Sequence, residues 1–218
     1  MQAHEVAFQF SARYYKAGTL NNQTRQIWFV LHGYGQLAQY FIRKFRTLEE
    51  HGICVIAPEG LSRFYLEDVS SRVQSGNNRV GATWMTRENR IADIHNYLQY
   101  LNTICANEVP KDNKIPITIL GFSQGAATAT RWALEGKVTF DRLLLWAGIF
   151  PPDIDFTTGK LVLKNKTTSI VYGTADPFLK DDRFAEMKLL SEKLEINPDV
   201  HTFEGGHDID EKTLLKFV

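Results

Sequence analysis

Short apolar runs alternate with amphipathic stretches along almost the whole chain. Residues 5–16 partly alternate apolar and polar positions, which predicts a strand, and Gly18 to Asn22 supplies a turn. In the run 25–31 the last five positions, Ile27 to Leu31, are all apolar, the pattern of a strand buried on both faces. Apolar residues at 37, 41, 42, 45 and 48 then have helical spacing, and Gly52 stops the helix. Ile53 to Ala57 reads as a short buried strand. Residues 61–85 show little periodicity, and the stretch is too long for a plain connection. Ile91, Ile94, Tyr97, Leu98, Leu101 and Ile104 mark one face of a helix ending near Cys105, with Thr86 placed to cap it.

The second half repeats the plan. Residues 115–120 read as a strand and 124–135 as a helix ended by Gly136. Strands follow at 142–147, 168–172 and 199–203, with helices at 180–194 and about 209–217; residues 151–166 look irregular. Strands alternating with helices predict an α/β domain: a mainly parallel central sheet with helices on both faces. No linker, repeat or charge block divides residues 1–218, so a single domain is expected. Sheets of this kind place their sites outside the carboxyl ends of the strands, and that rule filters the candidate residues.

Composition narrows the classes. Lys+Arg and Asp+Glu both number 25, so no net field attracts nucleic acid or an anionic membrane. Arg63, Arg72, Arg79, Arg87 and Arg90 cluster, but Glu59, Glu67, Asp68 and Glu88 interrupt them, the pattern of a mixed solvated surface. Two cysteines, Cys54 and Cys105, make neither a disulfide framework nor a metal-ligand spacing. No apolar run is long enough to span a membrane, and the first residues lack the plan of a signal peptide; a cytoplasmic location is expected. A homodimer is compatible with the sequence but has no support in it.

Between the strand at 115–120 and the helix at 124–135 lies Gly121-Phe122-Ser123-Gln124-Gly125. A Gly-x-Ser-x-Gly at a strand-to-helix turn lifts the serine hydroxyl clear of the sheet beside a helix N-terminus. A serine needs a base, usually a histidine oriented by a carboxylate. Of six histidines only His32 and His207 follow strand ends, and the order Ser, acid, His selects His207. For the acid, Asp176 directly follows a strand end beside Pro177, with Asp153 the second choice. The oxyanion donors expected are the backbone N–H of Gln124 and that of Tyr34, in the early loop His32-Gly33-Tyr34-Gly35-Gln36. His32 is expected to brace that loop through hydrogen bonds. Gly33 and Gly35 lack the third glycine of a dinucleotide turn.

These pieces resemble the α/β-hydrolase superfamily, and within it the phospholipase/carboxylesterase branch that includes the acyl-protein thioesterases. The resemblance rests on Leu31 to Gly35, Pro58, Trp84, Gly121 to Gly125, Gly173 to Pro177, and Gly206-His207, spread over nearly all of the chain. It implies an α/β-hydrolase fold, the catalytic set Ser123, Asp176 and His207, and oxyanion amides at Tyr34 and Gln124. Trp84 matches a tryptophan beside the acyl pocket. Gln36, Ala126 and Tyr172 stand where the branch often has Asp, Gly and His.

The expected activity is serine hydrolysis of carboxylic esters through an acyl-enzyme, with acyl-thioesterase or lysophospholipase action as alternatives. The substrate would be a small ester or thioester, and the mechanism calls for no cofactor or metal. An acyl pocket is expected from Trp84, Met85, Phe150 and Phe178. The rival from another class is a non-catalytic ligand-binding homologue. A lipase fits less well, because residues 61–85 are rich in Arg, Ser and Asn and make a poor lipid-facing lid.

Overall fold

The computed structural model describes residues 1–218. In chain order the elements are β1 (Tyr14–Ala17), β2 (Gln26–Leu31), α1 (Ala38–Phe41) running into a 3₁₀ segment (Ile42–His51), β3 (Ile53–Pro58), β4 (Ser62–Tyr65), α2 (Val69–Ser75) and β5 (Val80–Thr83). Then come α3 (Arg90–Glu108), β6 (Ile117–Phe122), α4 (Gln124–Glu135), β7 (Arg142–Trp146), α5 (Phe156–Leu163), β8 (Thr167–Gly173), α6 (Asp181–Lys193), β9 (Asp199–Phe203) and α7 (Glu211–Leu214), which ends in the 3₁₀ turn Leu215–Phe217.

Seven strands form one sheet in the order β1-β3-β2-β6-β7-β8-β9. Only β1 is antiparallel to its neighbour. Burial on both faces follows from the uninterrupted apolar runs. Along β2, Ile27, Phe29 and Leu31 enter a core cluster of 27 residues under α3, α4, α5 and α6, while Trp28 and Val30 enter one of 18 residues under α1 and the two 3₁₀ segments. That alternation is the strand period of two acting on a continuous hydrophobic run. Trp132 of α4 closes edge-to-face on Phe29, with ring centroids 5.0 Å apart.

The strand order reverses between β2 and β6, where Leu31 pairs with Gly121. Both strands deliver their carboxyl ends to this switch point, the crevice where open α/β sheets bind ligands.

Four local expectations change. The strand expected over 5–16 is only Tyr14–Ala17, because its register reaches Pro58 of β3, which offers no N–H to carry the ladder further. The helix expected over 37–51 is α-helical for one turn and 3₁₀ thereafter. Residues 61–85 form an antiparallel pair, β4 with β5, joined through α2, whose N-cap Asp68 accepts from the Ser71 N–H. The 151–166 stretch contains α5, capped by Asp155. In addition, α3 starts at Arg90 and not at Thr86. The Thr86 N–H donates to Asp93 within that helix at 3.1 Å, so the preceding turn is folded back onto it.

Candidate active site

Ser123 sits at φ 54°, ψ −117°, a strained conformation for a residue with a side chain. Its neighbours explain why it persists. A Cβ on Gly121 would collide with the Gly125 carbonyl, and a Cβ on Gly125 with that of Leu31. The turn is thus packed backbone on backbone against the end of β2. The Ser123 N–H donates to the Trp146 carbonyl at 2.8 Å, tying the elbow to β7 as well. Gln124 opens α4, so the elbow lies at a helix N-terminus.

The loop after β2 abuts Ser123. A Cβ on Gly33 would stand 3.1 Å from the Ser123 Cβ. The Gly33 N–H donates to Gln36 Oε1, the Gly35 N–H to the Ala82 carbonyl and the Gln36 N–H to the Gly33 carbonyl. Of the four amides from Gly33 to Gln36, only that of Tyr34 has no protein acceptor. The Tyr34 ring itself is 61% exposed and lies on Phe64.

His32 braces this loop from beneath. It is fully buried. Its Nε2 accepts from the Gly60 N–H at 2.9 Å, which places the proton on Nδ1, 2.8 Å from the Gly33 carbonyl. Burial pushes its pKa down to about 4, against the opposing pull of the Gly33 hydrogen bond and Glu59, so the ring is neutral.

Asp176 and His207 come from the loops after β8 and β9. Gly173, at the end of β8, is so close to the carbonyls of Gly205 and Gly206 that no Cβ fits between them. The Thr174 N–H donates to Phe203 and the Ala175 N–H to Gly205, fastening one loop to the other. Asp176 is 6% exposed; its Oδ1 accepts from the Phe178 N–H at 2.9 Å, and its Oδ2 lies 2.7 Å from His207 Nδ1. The imidazole rests between the rings of Phe122 and Phe178, at 4.9 and 4.7 Å.

Ser123 and His207 line one cavity of about 660 Å³, whose walls include Met85, Phe150 and Phe178. Trp84, expected in that wall, is not part of it. It is 1% exposed, stacks on His32 at 5.1 Å and donates its indole N–H to the His32 carbonyl, so it supports the loop and not a ligand. Gln124 does more than its backbone position suggests. Its side chain accepts from the Trp84 N–H and donates to the Met85 carbonyl, fixing the end of β5 against α4. A second cleft, about 890 Å³, lies between α1 and the β4–β5 pair and holds none of Ser123, Asp176 or His207.

The composition of the Ser123 cavity was not foreseen. Arg87, Arg90, Arg131 and Arg183 line it, with Asp153 the one acid among them. Two of these belong to the arginine cluster expected on a mixed solvated surface. Gln124, Ala127 and Arg131 recur at i, i+3 and i+7, so one face of α4 looks into the cavity; that spacing was the available signal. Asp153, the second choice for the acid, is instead taken by Arg131 at 2.6 Å and Arg90 at 2.5 Å. Burial would raise its pKa, but these two guanidinium groups outweigh that and hold it below the usual carboxylate value.

A mostly parallel sheet with a serine at a sharp strand-to-helix turn defines the α/β-hydrolase fold, and solved structures share it. The Zea mays acyl-protein thioesterase 2 superposes with a TM-score of 0.68 at 16% identity, over 95% of this chain and 96% of that one. The Bacillus cereus carboxylesterase gives 0.65 at 18% identity, over 94% and 91%. Esterase PE8 gives 0.63 at 18%, over 95% and 96%. No curated protein shows significant sequence similarity to the chain. Residues 23–214 match the model of the serine hydrolase (FSH1) family, and the chain belongs to that family. No helix is long and apolar enough to cross a membrane.

Proposed function

We propose that the protein hydrolyses carboxylic esters through an acyl-enzyme on Ser123, with His207 as the base and Asp176 as its orienting acid. The observation that carries this reading is the 2.7 Å contact between His207 Nδ1 and Asp176 Oδ2, with the same imidazole facing Ser123's cavity. A carboxylate accepting from Nδ1–H leaves the Nε2 lone pair free to take a proton. Ser123 then attacks the acyl carbon, and His207 takes its proton. The resulting oxyanion falls to the backbone N–H groups of Tyr34 and Gln124. Removing one such donor typically costs about 3–4 kcal/mol of barrier. His207 returns the proton to the leaving alcohol, and water repeats the sequence on the acyl-enzyme.

Met85, Phe150 and Phe178 would seat the acyl chain. A thioester would follow the same steps with a thiol leaving. A panel of p-nitrophenyl esters of increasing chain length, paired with one thioester, separates the two substrates. The same panel on Ser123→Ala tests the mechanism: turnover should fall about 10⁴-fold or more. Retention of most of the activity would overturn it.

A further inference from the structure

The walls of the Ser123 cavity carry more positive charge than hydrolysis of a neutral ester requires. Four arginines face a single carboxylate. Arg183 has its own partner outside the cavity, Glu186, at 2.5 Å. Asp153 is shared between Arg90 and Arg131, so one carboxylate answers two guanidinium groups. Arg87 makes no ion pair. Two positive charges in the cavity therefore lack a counter-ion.

Arg131 is the most telling of them. It is 3% exposed, and its Nε has no hydrogen-bond partner. Its Nη1 meets only the Tyr97 hydroxyl at 3.5 Å and Met85 Sδ at 3.8 Å. Burying a guanidinium with donors unanswered is unfavourable unless something else answers them. The position is also suggestive. Arg131 lies eight residues along α4 from Ser123, about 12 Å of helix rise, and helical side chains lean back toward the N-terminus. Its guanidinium thus lies on the helix face that lines the cavity, within about 12 Å of helix rise of the serine.

We propose that the ester cleaved here carries a carboxylate set several atoms from the scissile carbonyl, held by Arg131, Arg90 and Arg87. This rests on the ester-hydrolase reading above and names its substrate class: anionic esters, the monoester of a dicarboxylic acid being the simplest. Planar guanidinium groups match a carboxylate in bidentate geometry, which supplies orientation as well as attraction. Water enters the overall reaction, and the ionised diacid, the alcohol and one proton leave.

The test is equilibrium binding to Ser123→Ala, which does not depend on turnover. One pair of esters puts the carboxylate on the acyl side: the p-nitrophenyl monoester of adipic acid against p-nitrophenyl hexanoate. A second puts it on the leaving group: 4-carboxyphenyl hexanoate against 4-carbamoylphenyl hexanoate. In one pair the anionic ester should bind at least tenfold more tightly, a preference that shrinks with added salt. The responding pair identifies the side. Arg131→Gln endangers folding because the residue is buried, so Arg90→Gln, nearer the surface, is the informative variant; added to Ser123→Ala it should cut the preference at least fivefold. Equal binding within both pairs overturns the proposal. So does a preference that Arg90→Gln leaves intact while lowering only the melting temperature, since the ion pair would then be purely structural. Fluorophosphonate labelling of the wild type reads the hydrolase assignment separately: an unlabelled Ser123 with an intact anion preference removes the enzyme and keeps the anion site.

Discussion

Ser123 and His207 face the same cavity but are held there by different means. Ser123 is fixed by backbone packed on backbone: Gly121 against Gly125, Gly125 against Leu31, with the surrounding strands β2 and β6 buried. His207 follows β9, an edge strand whose residues are exposed or half-buried; its loop meets the end of β8 backbone on backbone at Gly173, but the imidazole itself is aimed only by one hydrogen bond and two aromatic contacts. Close-packed backbone has few alternative arrangements, whereas a side-chain hydrogen bond can be changed without moving the chain. Substitutions around the elbow should therefore disturb folding first. Substitutions of the Asp176 and His207 side chains should disturb chemistry first.

The sharpest break in that contrast is Asp176→Asn. The amide would donate to His207 Nδ1 and force the proton onto Nε2, the wrong tautomer to serve as base. Turnover should fall about 10⁴-fold with little change in melting temperature. Next is Gly125→Ala on the elbow side, where the added methyl meets the Leu31 carbonyl. Overpacking against backbone should destabilise the protein by about 3 kcal/mol or more, read as a lower denaturant midpoint. If Gly125→Ala folds normally, or Asp176→Asn unfolds, the contrast is wrong.

A pH titration of stability probes the loop beneath the elbow. Buried His32 titrates at about 4, below the ordinary histidine value, so between those two values the unfolded chain binds a proton that the folded chain does not. Stability is therefore fully present above about pH 6.5 and falls as the pH drops toward 4, by about 3 kcal/mol in all. His32→Asn should be less stable at neutral pH and lose that part of the slope; an unchanged slope would show that His32 is not its source. The smallest effect is expected for Gln124→Ala. Its backbone N–H survives, but the bonds to Trp84 and Met85 are lost. Stability should fall by about 1–2 kcal/mol, and KM should change more than kcat because Met85 lines the cavity.

The same contrast explains what was legible in the sequence. The sheet and the elbow announce themselves locally: apolar runs bury on both faces, and glycines stand where backbone meets backbone. The pairing of Asp176 with His207 was reachable because strand ends are local signals and the order Ser, acid, His is read directly along the chain. The arginine lining was not. Arg87, Arg90, Arg131 and Arg183 come from three separate segments, and only the packing of α3, α4 and α6 around β7's outlet brings them together. Trp84 was placed by motif beside the acyl chain, but its indole N–H found the His32 carbonyl, an acceptor 52 residues away that no local pattern reveals. Phe8 and Phe10 alternate like a strand, yet no partner strand extends far enough to pair with them.

The central claim is that Ser123 is the nucleophile and that His207 activates it. Fluorophosphonate labelling of the wild type, Ser123→Ala and His207→Ala, followed by peptide mapping, tests it most directly. The account predicts one adduct, on the peptide containing Ser123, absent from Ser123→Ala and formed far more slowly in His207→Ala. An adduct on another residue, or labelling of Ser123 at the wild-type rate without His207, would contradict it.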